Sequence, residues 1–432
     1  MKDLTKLLIF LISILLLVVG EQRAFAGTVE VCPACPVKSI KAGVKIAKPG
    51  DQVVVNGGTY KEYGIEITKR IHLLGKNNPV LDGAFKGQII SVLADGVVVQ
   101  GFTIKNIATS YTRDDAAIRV VESNNVKILQ NTILNTYFGV YLQNSDNSEV
   151  RGNVVTGKDV TGLNESSLGN AIHLWQCNKA VIVNNKVRGH RDGIYLEFVK
   201  DTWVKDNLSQ HNLRYGLHFM FSDGNVYTHN TFRKNGAGVA VMYTSNIVME
   251  RNTFEENWGP ASYGLLLKDI RDSKIRYNTF SQNTTGIYME GSSRLDIQNN
   301  SFTRNGWAVR LLSSCTDNVF THNNFTENSF DIGTNGNSNL NQFEKNYWDK
   351  YTGYDLNRDK VGDVPYRPVS LYSMLVEKVP SSVMFMRSFM VDLLDNVEKV
   401  LPTFIPDKLI DERPLMRRID HDYNRKFTKV IR

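Results

Sequence analysis

The strongest constraint on the fold is a repeat with a period of about 22 residues. An Asn-x-apolar triplet recurs through the middle of the chain, and a small residue followed by an alternating strand recurs in step with it. Successive copies are 22 or 23 residues apart, except for spacings of 32 and 26 at the same two places in both series. The repeated asparagines are Asn131, Asn153, Asn185, Asn207, Asn230, Asn252, Asn278, Asn300, Asn323 and Asn346. This period is too short for a helical hairpin and is typical of one turn of a right-handed parallel β-helix, so we predict an all-β solenoid with stacked asparagines.

The repeated strand predicts which side chains face outward. Its second and fourth positions are apolar and should point into the core, which leaves the third and fifth positions on the outside. On successive turns these outward pairs, here named the outward strip, are Tyr141 and Gln143, His173 and Trp175, Tyr195 and Glu197, His218 and Met220, Ala240 and Met242, Leu266 and Lys268, and Tyr288 and Glu290. A solvent face should be polar, so a strip this rich in aromatic, His and Met residues is a candidate binding surface.

Part of the outward strip has the composition of a copper site. Met220 and Met242 hold the same position on consecutive turns, which places their Cα atoms about 5 Å apart, and His218 lies on the same face as Met220. Thioether and imidazole are ligands that suit Cu(I), so we predict transient Cu(I) binding here, widened by His173 and His190. The alternative is that the methionines pack under a loop or against a partner protein.

A second candidate metal site lies just after the repeat. Asp355, Asn357 and Asp359 alternate with other residues before Gly362 and Asp363, as at the start of a calcium-binding loop. The alternative is a polar turn in which these side chains hold the backbone. The spacing therefore predicts a possible Ca²⁺ site formed by Asp355, Asn357, Asp359 and Asp363.

Only one cysteine motif is present among the four cysteines of the chain. Cys32 and Cys35 form a C-x-x-C, which predicts a disulfide, a redox pair or a metal clip.

Composition and carboxylate spacing argue against two classes of function. The chain has 51 Lys and Arg against 44 Asp and Glu, and a net charge of +7 is too mild for a dedicated nucleic-acid binder. Secreted β-helices often cleave polysaccharides, but a glycosidase needs two carboxyl groups roughly 5 to 9.5 Å apart. Glu197 and Glu290 of the outward strip are four turns apart, or about 19 Å. We therefore expect a non-enzymatic protein, with a polysaccharide lyase or hydrolase as the alternative.

The two ends of the chain differ from the repeat. Residues 1–26 combine basic residues, a 14-residue apolar run and Ala24-Phe25-Ala26, as in a cleaved secretory signal peptide. We assign residues 27–348 to the β-helix, 349–370 to a loop and 371–432 to a short helical extension. A helix is predicted over 381–400, and its apolar residues are candidates for partner docking or for capping the open end of the solenoid. These residues are Met384, Met386, Phe389, Met390, Leu393 and Leu394.

Several long strings identify a family resemblance. They are GHRDGIYLEF at 189–198, RYGLHFMFSD at 214–223, NGAGVAVMYT at 235–244, NWGPASYGLLLKD at 257–269, NYWDKYTGYDLNRDKVGDVPYRPV at 346–369 and DERPLMR at 411–417. Together they resemble the NosD family of exported maturation factors for nitrous oxide reductase, which are sugar-hydrolase-like β-helices, and the similarity covers nearly all of the chain after residue 26.

The resemblance implies a role that spacing and composition do not. It implies a periplasmic accessory protein of denitrification that docks on the permease dimer of an inner-membrane ABC transporter, with its ATPase, and helps to build the copper–sulfide centre of the reductase. A membrane-anchored copper chaperone would supply Cu(I). A metal-free scaffold that only recruits the reductase is the remaining alternative. No nucleic acid is expected as a partner.

Overall fold

The repeat folds into a solenoid of three parallel β-sheets that share one core. The computed structural model describes residues 27–109, 114–157, 168–336, 340–391, 393–394 and 409–420; the predicted signal peptide lies outside these ranges. A complete turn contributes one strand to each sheet, and neighbouring strands within the described ranges pair in parallel. The next turn lies directly in register, except for a register shift between Thr316–Thr321 and Leu340–Glu344. The predicted parallel β-helix is confirmed.

The three sheets are numbered in chain order. Within the described residues, sheet 1 consists of Thr28–Val31, Gln52–Val55, His72–Gly75, Val98–Gln100, Lys127–Leu129, Glu149–Arg151, Val181–Val183, Trp203–Lys205, Val226–Thr228, Val248–Glu250, Lys274–Arg276, Asp296–Gln298, Thr316–Thr321 and Leu340–Glu344. Sheet 2 consists of Thr59–Tyr60, Val80–Asp82, Thr103–Lys105, Thr132–Leu134, Val154–Thr156, Lys186–Arg188, Leu208–Gln210, Thr231–Arg233, Thr253–Glu255, Thr279–Ser281, Ser301–Thr303, Asn324–Thr326 and Tyr347–Trp348. Sheet 3, which carries the outward strip, consists of Ile65–Ile67, Ile90–Val92, Ala116–Val121, Phe138–Gln143, Ile172–Trp175, Ile194–Glu197, Tyr215–Met220, Ala237–Met242, Tyr263–Lys268, Thr285–Glu290, Trp307–Leu311 and Phe330–Gly333.

The core consists of columns of like side chains, because parallel in-register strands bring equivalent positions of successive turns into contact. The longest aromatic column lies under sheet 2, and its members are fully buried. Neighbouring ring centroids in the column are 4.1 to 5.6 Å apart. The column contains Phe232, Phe254, Phe280, Phe302, Phe325 and Trp348.

The repeated asparagines form the predicted ladder between sheets 1 and 2. At Asn185 the side-chain oxygen accepts hydrogen bonds from the backbone N–H and the Nδ2 of Asn153, at 2.9 and 3.0 Å. Its own Nδ2 donates to the carbonyl of Val150 at 2.8 Å and to the side-chain oxygen of Asn207 at 3.0 Å. Each rung therefore satisfies backbone groups that the turn would otherwise bury without partners.

A second ladder, which the sequence analysis missed, lies between sheets 2 and 3. Its asparagines are Asn212, Asn235, Asn257, Asn283, Asn305 and Asn328. Their spacings of 22 to 26 residues repeat those of the first ladder and carry the same signal.

Both ends of the solenoid are covered. At the start, the helix Ile40–Ile46, capped by Ser39, packs against the first strands of sheet 1. At the other end, Asp411 ends the first ladder, because its Oδ2 accepts hydrogen bonds from the backbone N–H and Nδ2 of Asn346, both at 3.0 Å. A buried carboxylate thus replaces the next asparagine where the repeat stops.

The helix predicted over 381–400 is wrong in its first part. The α-helix is Leu371–Lys378, which begins at a capping box formed by Ser370 and Ser373. It ends before Pro380, which has no N–H to continue it, and Pro380–Phe385 forms a 3₁₀ helix. Within the predicted range, residues 389–391 and 393–394 are helical, and residues 392 and 395–400 lie outside the described ranges.

Candidate functional site

The outward strip exists in the predicted register, but it is less exposed than expected. His173, Tyr195, His218 and Ala240 pair directly on successive strands of sheet 3. His218 is 5% exposed and Ala240 is fully buried. The expectation of an open solvent face is therefore wrong for His218 and Ala240. His173 and Tyr195 at the third position are half-buried, as are Met220 and Met242 at the fifth.

The strip is closed because its side chains pack against one another. The ring centroids of His173 lie 4.4 Å from Tyr141 and 4.7 Å from Tyr195, and Tyr195 lies 4.8 Å from His218. Tyr215, from the start of the same strand, packs against the other side of His218, with centroids 4.8 Å apart. Aromatic packing of this kind, with the Tyr141 ring stacked on His173 and the Tyr195 ring edge-on to both imidazoles, removes the imidazoles from solvent but supplies no hydrogen bond to their nitrogens.

Met220 and Met242 lie side by side. They are register partners on neighbouring strands, so their Cα atoms are about 4.8 Å apart. The Tyr195 hydroxyl donates to the Met220 sulfur at 3.9 Å, and burial raises the pKa of Tyr195 to about 12, which keeps the hydroxyl protonated. The two thioethers thus sit on one patch next to a neutral donor.

His218 lies in the same patch and is short of partners. Neither of its ring nitrogens has a hydrogen-bond partner, although the side chain is buried. The nearest charge is Asp192, whose Oδ2 is 3.7 Å from Nδ1 of His218. Burial raises the pKa of Asp192, but His218, Arg191 and Arg214 lower it by more, so this fully buried carboxyl stays ionised. Imidazole is a common metal ligand, and the ring nitrogens of His218 make no hydrogen bond that would compete with one.

The other two predicted copper ligands are not part of this patch. His173 is two strands away from His218, with the ring of Tyr195 between them, which makes the separation about 9.6 Å. His190 lies at the turn before sheet 3, where its backbone N–H donates to the side-chain oxygen of Asn212 at 3.2 Å. It precedes Asn212 in the second asparagine ladder, and its ring Nδ1 lies 3.0 Å from the carbonyl oxygen of Arg188. The structure therefore groups only His218, Met220 and Met242.

Burial of His190 predicts a pH-dependent stability. Burial lowers its pKa from 6.5 to about 4, so between these values the unfolded chain binds a proton that the folded chain does not, and stability falls as the pH falls below 6.5. His190→Asn supplies the residue found at the other positions of that ladder. Urea unfolding at pH 5 should show the variant losing about 2 kcal/mol less than wild type relative to pH 8. Equal losses in the two proteins would contradict the low pKa of folded His190. Measurements at pH 8 serve as the control, since His190 is neutral there in both the folded and the unfolded chain.

The candidate calcium loop is closed by its own backbone. Asp355 Oδ2 accepts from the Lys360 N–H at 2.9 Å, Asp359 Oδ1 accepts from the Val361 N–H at 2.8 Å, and Asn357 Oδ1 accepts from the Asp359 N–H at 3.0 Å. Asp363 accepts from the Leu356 N–H at 2.6 Å. Across the described ranges, no three His, Cys, Asp or Glu side chains are grouped closely enough to hold a metal ion. These contacts fit the polar-turn alternative, and calcium binding stays a prediction.

An aromatic stack that the sequence analysis missed lies beside the methionines. Phe198, Phe221 and Tyr243 each follow the last strip residue of their strand, at a turn position with positive φ. Their rings are stacked with centroids 5.2 Å apart and remain 40 to 43% exposed. They line a shallow cleft of about 410 Å³ with Lys200 and Asp223. The 23- and 22-residue spacing of these three aromatic residues can be read from the sequence, but the sequence does not show that their rings remain exposed at the turn.

The C-terminal extension packs over the end of the strip. Glu377 in the helix accepts two hydrogen bonds from Arg310 of sheet 3, at 2.6 and 3.1 Å. Of the predicted docking residues, Met386 and Leu394 pack against Phe330 and its buried neighbours. The other four are exposed: Met384, Phe389, Met390 and Leu393. The extension therefore both caps the solenoid and presents an apolar surface.

Comparison with known proteins shows which proteins the chain resembles. Residues 156–357 match the family model described as "Periplasmic copper-binding protein (NosD)", and residues 37–169 match the model described as "Right handed beta helix region". Two curated relatives cover most of the chain. The chain is similar to the NosD family over residues 156–357. It is 26% identical to a probable ABC transporter binding protein NosD of Pseudomonas aeruginosa, over 81% of this chain and 85% of that protein. It is also 26% identical to a protein of the same description from Stutzerimonas stutzeri, over 78% of this chain and 80% of that protein.

Solved structures support the β-helix fold and nothing more. The catalytic domain of a GH87 α-1,3-glucanase superimposes with a TM-score of 0.55 at 12% identity, over 75% of this chain and 69% of that one. At this identity the likeness carries no information on activity. Among the described residues, no helix has both the length and the apolar character that crossing a bilayer requires.

Proposed function

We propose that this NosD-type accessory protein works in the periplasm beside an ABC transporter and passes Cu(I) on for assembly of the copper–sulfide centre of nitrous oxide reductase. Copper is its cargo, and no step of the reductase's chemistry takes place on this chain. The observation that carries the proposal is the patch formed by Met220, Met242 and His218, which we name the Met–His patch.

Three properties of the Met–His patch support copper transfer. Its donors are thioether and imidazole, which select Cu(I) over the harder divalent ions. The His218 nitrogens have no hydrogen-bond partner to displace, so a metal ion would bind buried nitrogens that otherwise make no hydrogen bond. Neutral donors without a thiolate bind copper weakly enough to release it, as a transfer site requires.

Transporter docking is supported by the C-terminal extension. Met384 is 76% exposed and Phe389 is 80% exposed, although a solvated surface rarely groups such side chains. The Arg310–Glu377 pair holds the helix that precedes this apolar surface at one end of the strip, so we expect a docked permease to lie at that end of the solenoid. The ATPase of the transporter would supply the energy, and a membrane-anchored chaperone would supply the copper.

An anaerobic Cu(I) competition titration tests the Met–His patch. Ascorbate keeps copper reduced and leaves disulfides intact. Met220→Ala/Met242→Ala should weaken Cu(I) binding by at least roughly 10-fold, because it removes two ligands of the same ion. The matched control, Met384→Ala/Met390→Ala, deletes two equally flexible methionines from the exposed extension and should bind Cu(I) like wild type.

The same two variants separate transfer from docking. Co-purification with the membrane transporter should be lost in the extension variant and kept in the strip variant. If wild type binds no Cu(I) but still co-purifies, the protein is a metal-free scaffold and the transfer proposal is overturned. If the extension variant still co-purifies in full amount, the docking surface lies elsewhere.

A further inference from the structure

A pair of cysteines lies at the end of the solenoid opposite the extension. Cys32 and Cys35 directly follow the first strand, Thr28–Val31, and are joined by a disulfide with their Cα atoms 4.9 Å apart. Both are half-buried, and the intervening Pro33 and Ala34 are exposed. The pair is therefore open to a reductant or an ion from solvent.

The disulfide contributes little to holding this end of the solenoid. It closes a loop of only four residues, and short loops restrict the unfolded chain least. The first strand is held independently, since Thr28–Val31 pairs in full register with Gln52–Val55 and the N–H of Gly27 donates to Asp51 at 2.8 Å. Reduction of this disulfide should therefore cost the folded protein little stability.

The turn that brings the two sulfurs together does not depend on the disulfide. The N–H of Cys35 donates to the carbonyl of Cys32 at 3.1 Å, and the N–H of Cys32 donates to the carbonyl of Val37 at 3.1 Å. Val31 and Val37 also form a parallel bridge. After reduction, these contacts keep both thiols on one side of a tight turn, within reach of a single ion.

The remaining cysteines of the chain are unreactive by comparison. Cys177 is fully buried, and burial raises its pKa to about 12. Cys315 is also buried, and burial raises its pKa as well. In the folded protein, Cys32 and Cys35 are thus the two cysteines whose sulfurs can react with a reagent in solvent.

We infer that Cys32 and Cys35 form a redox-gated Cu(I) site, distinct from the Met–His patch. A protein dithiol reduces the disulfide and becomes a disulfide itself, so two electrons and two protons pass to the cysteine pair. The two thiols then bind one Cu(I) as thiolates and release two protons. The choice of cargo follows from the proposed function, whereas the site itself depends only on the turn and its two sulfurs.

Thiol counting and Cu(I) titration on the intact protein test this inference. Mild treatment with a dithiol should expose two thiols per chain without unfolding, because Cys177 and Cys315 stay buried. The reduced protein should then bind one Cu(I) more than the oxidised protein. Cys32→Ser/Cys35→Ser should lose that extra ion and keep whatever binding the oxidised wild type shows.

The same titration in the Met220→Ala/Met242→Ala background separates the two sites. A redox-dependent ion that persists there supports the cysteine site even if the Met–His patch binds nothing. Equal copper binding by the oxidised and reduced proteins overturns the inference, as does unfolding on reduction. If the serine variant fails to fold, alkylating the reduced native thiols with iodoacetamide provides the same loss-of-site test.

Discussion

Replacing Asp411 with alanine is expected to destabilise the last turns of the solenoid by about 4 kcal/mol. The fully buried carboxylate accepts five hydrogen bonds. Its Oδ2 accepts from the backbone N–H and Nδ2 of Asn346 and from the indole N–H of Trp348, each at 3.0 Å. Its Oδ1 accepts from the N–H groups of Lys345 and Arg413, at 3.1 and 3.2 Å. Alanine would leave most of these donors buried without partners, which costs more than the hydrogen bonds gain.

Hydrogen exchange is the measurement suited to this prediction, because repeat proteins can unfold from one end. Exchange should accelerate in the Leu340–Glu344 and Tyr347–Trp348 strands and remain unchanged near the first turns. Glu412→Ala, at the exposed neighbouring position, is the matched control and should behave like wild type. Unchanged protection of the last strands in Asp411→Ala would show that other contacts hold this end.

Replacing Asn185 with alanine is expected to cost about 3 kcal/mol in the middle of the solenoid. The change removes four hydrogen bonds and leaves the Asn153 N–H and the Val150 carbonyl buried without their side-chain partner. Both neighbouring turns lose a contact, so the loss should spread along the first ladder. Urea unfolding followed by circular dichroism measures the effect.

The adjacent residue supplies a matched control for this prediction. Asn184 is exposed and has a φ of 55°, so Asn184→Gly keeps the backbone conformation and should cost no more than about 1 kcal/mol. Equal losses for the two variants would mean that the ladder contributes nothing beyond backbone conformation. We expect Asn185→Ala to lose more stability than Asn184→Gly, because only the Asn185 side chain is buried and makes fixed hydrogen bonds within the ladder.

Much of the fold could be read from spacing. The 22-residue period predicted the β-helix and the first asparagine ladder, and the alternation within each repeated strand correctly separated the core side from the outward strip. Strict parallel register makes this possible, since residues one period apart must become neighbours in space. The second asparagine ladder carried the same signal and was overlooked. The first part of the predicted C-terminal helix was wrong, because an apolar run does not locate the capping residues around it, whereas Ser370 and Pro380 do.

Some features of the candidate site could likewise be predicted from the sequence, and others depended on the tertiary structure. The sequence determined that Met220, Met242 and His218 would be neighbours, because all three lie on adjacent strands of one face. Only the tertiary structure decided that His218 would be buried without hydrogen-bond partners, that Tyr195 would separate it from His173 and that His190 would join the second ladder. It also decided that Asp411, 65 residues beyond Asn346, would end the first ladder. The physical reason is that a repeat specifies contacts between successive turns, whereas burial and contacts across non-repeating segments depend on how the whole chain packs.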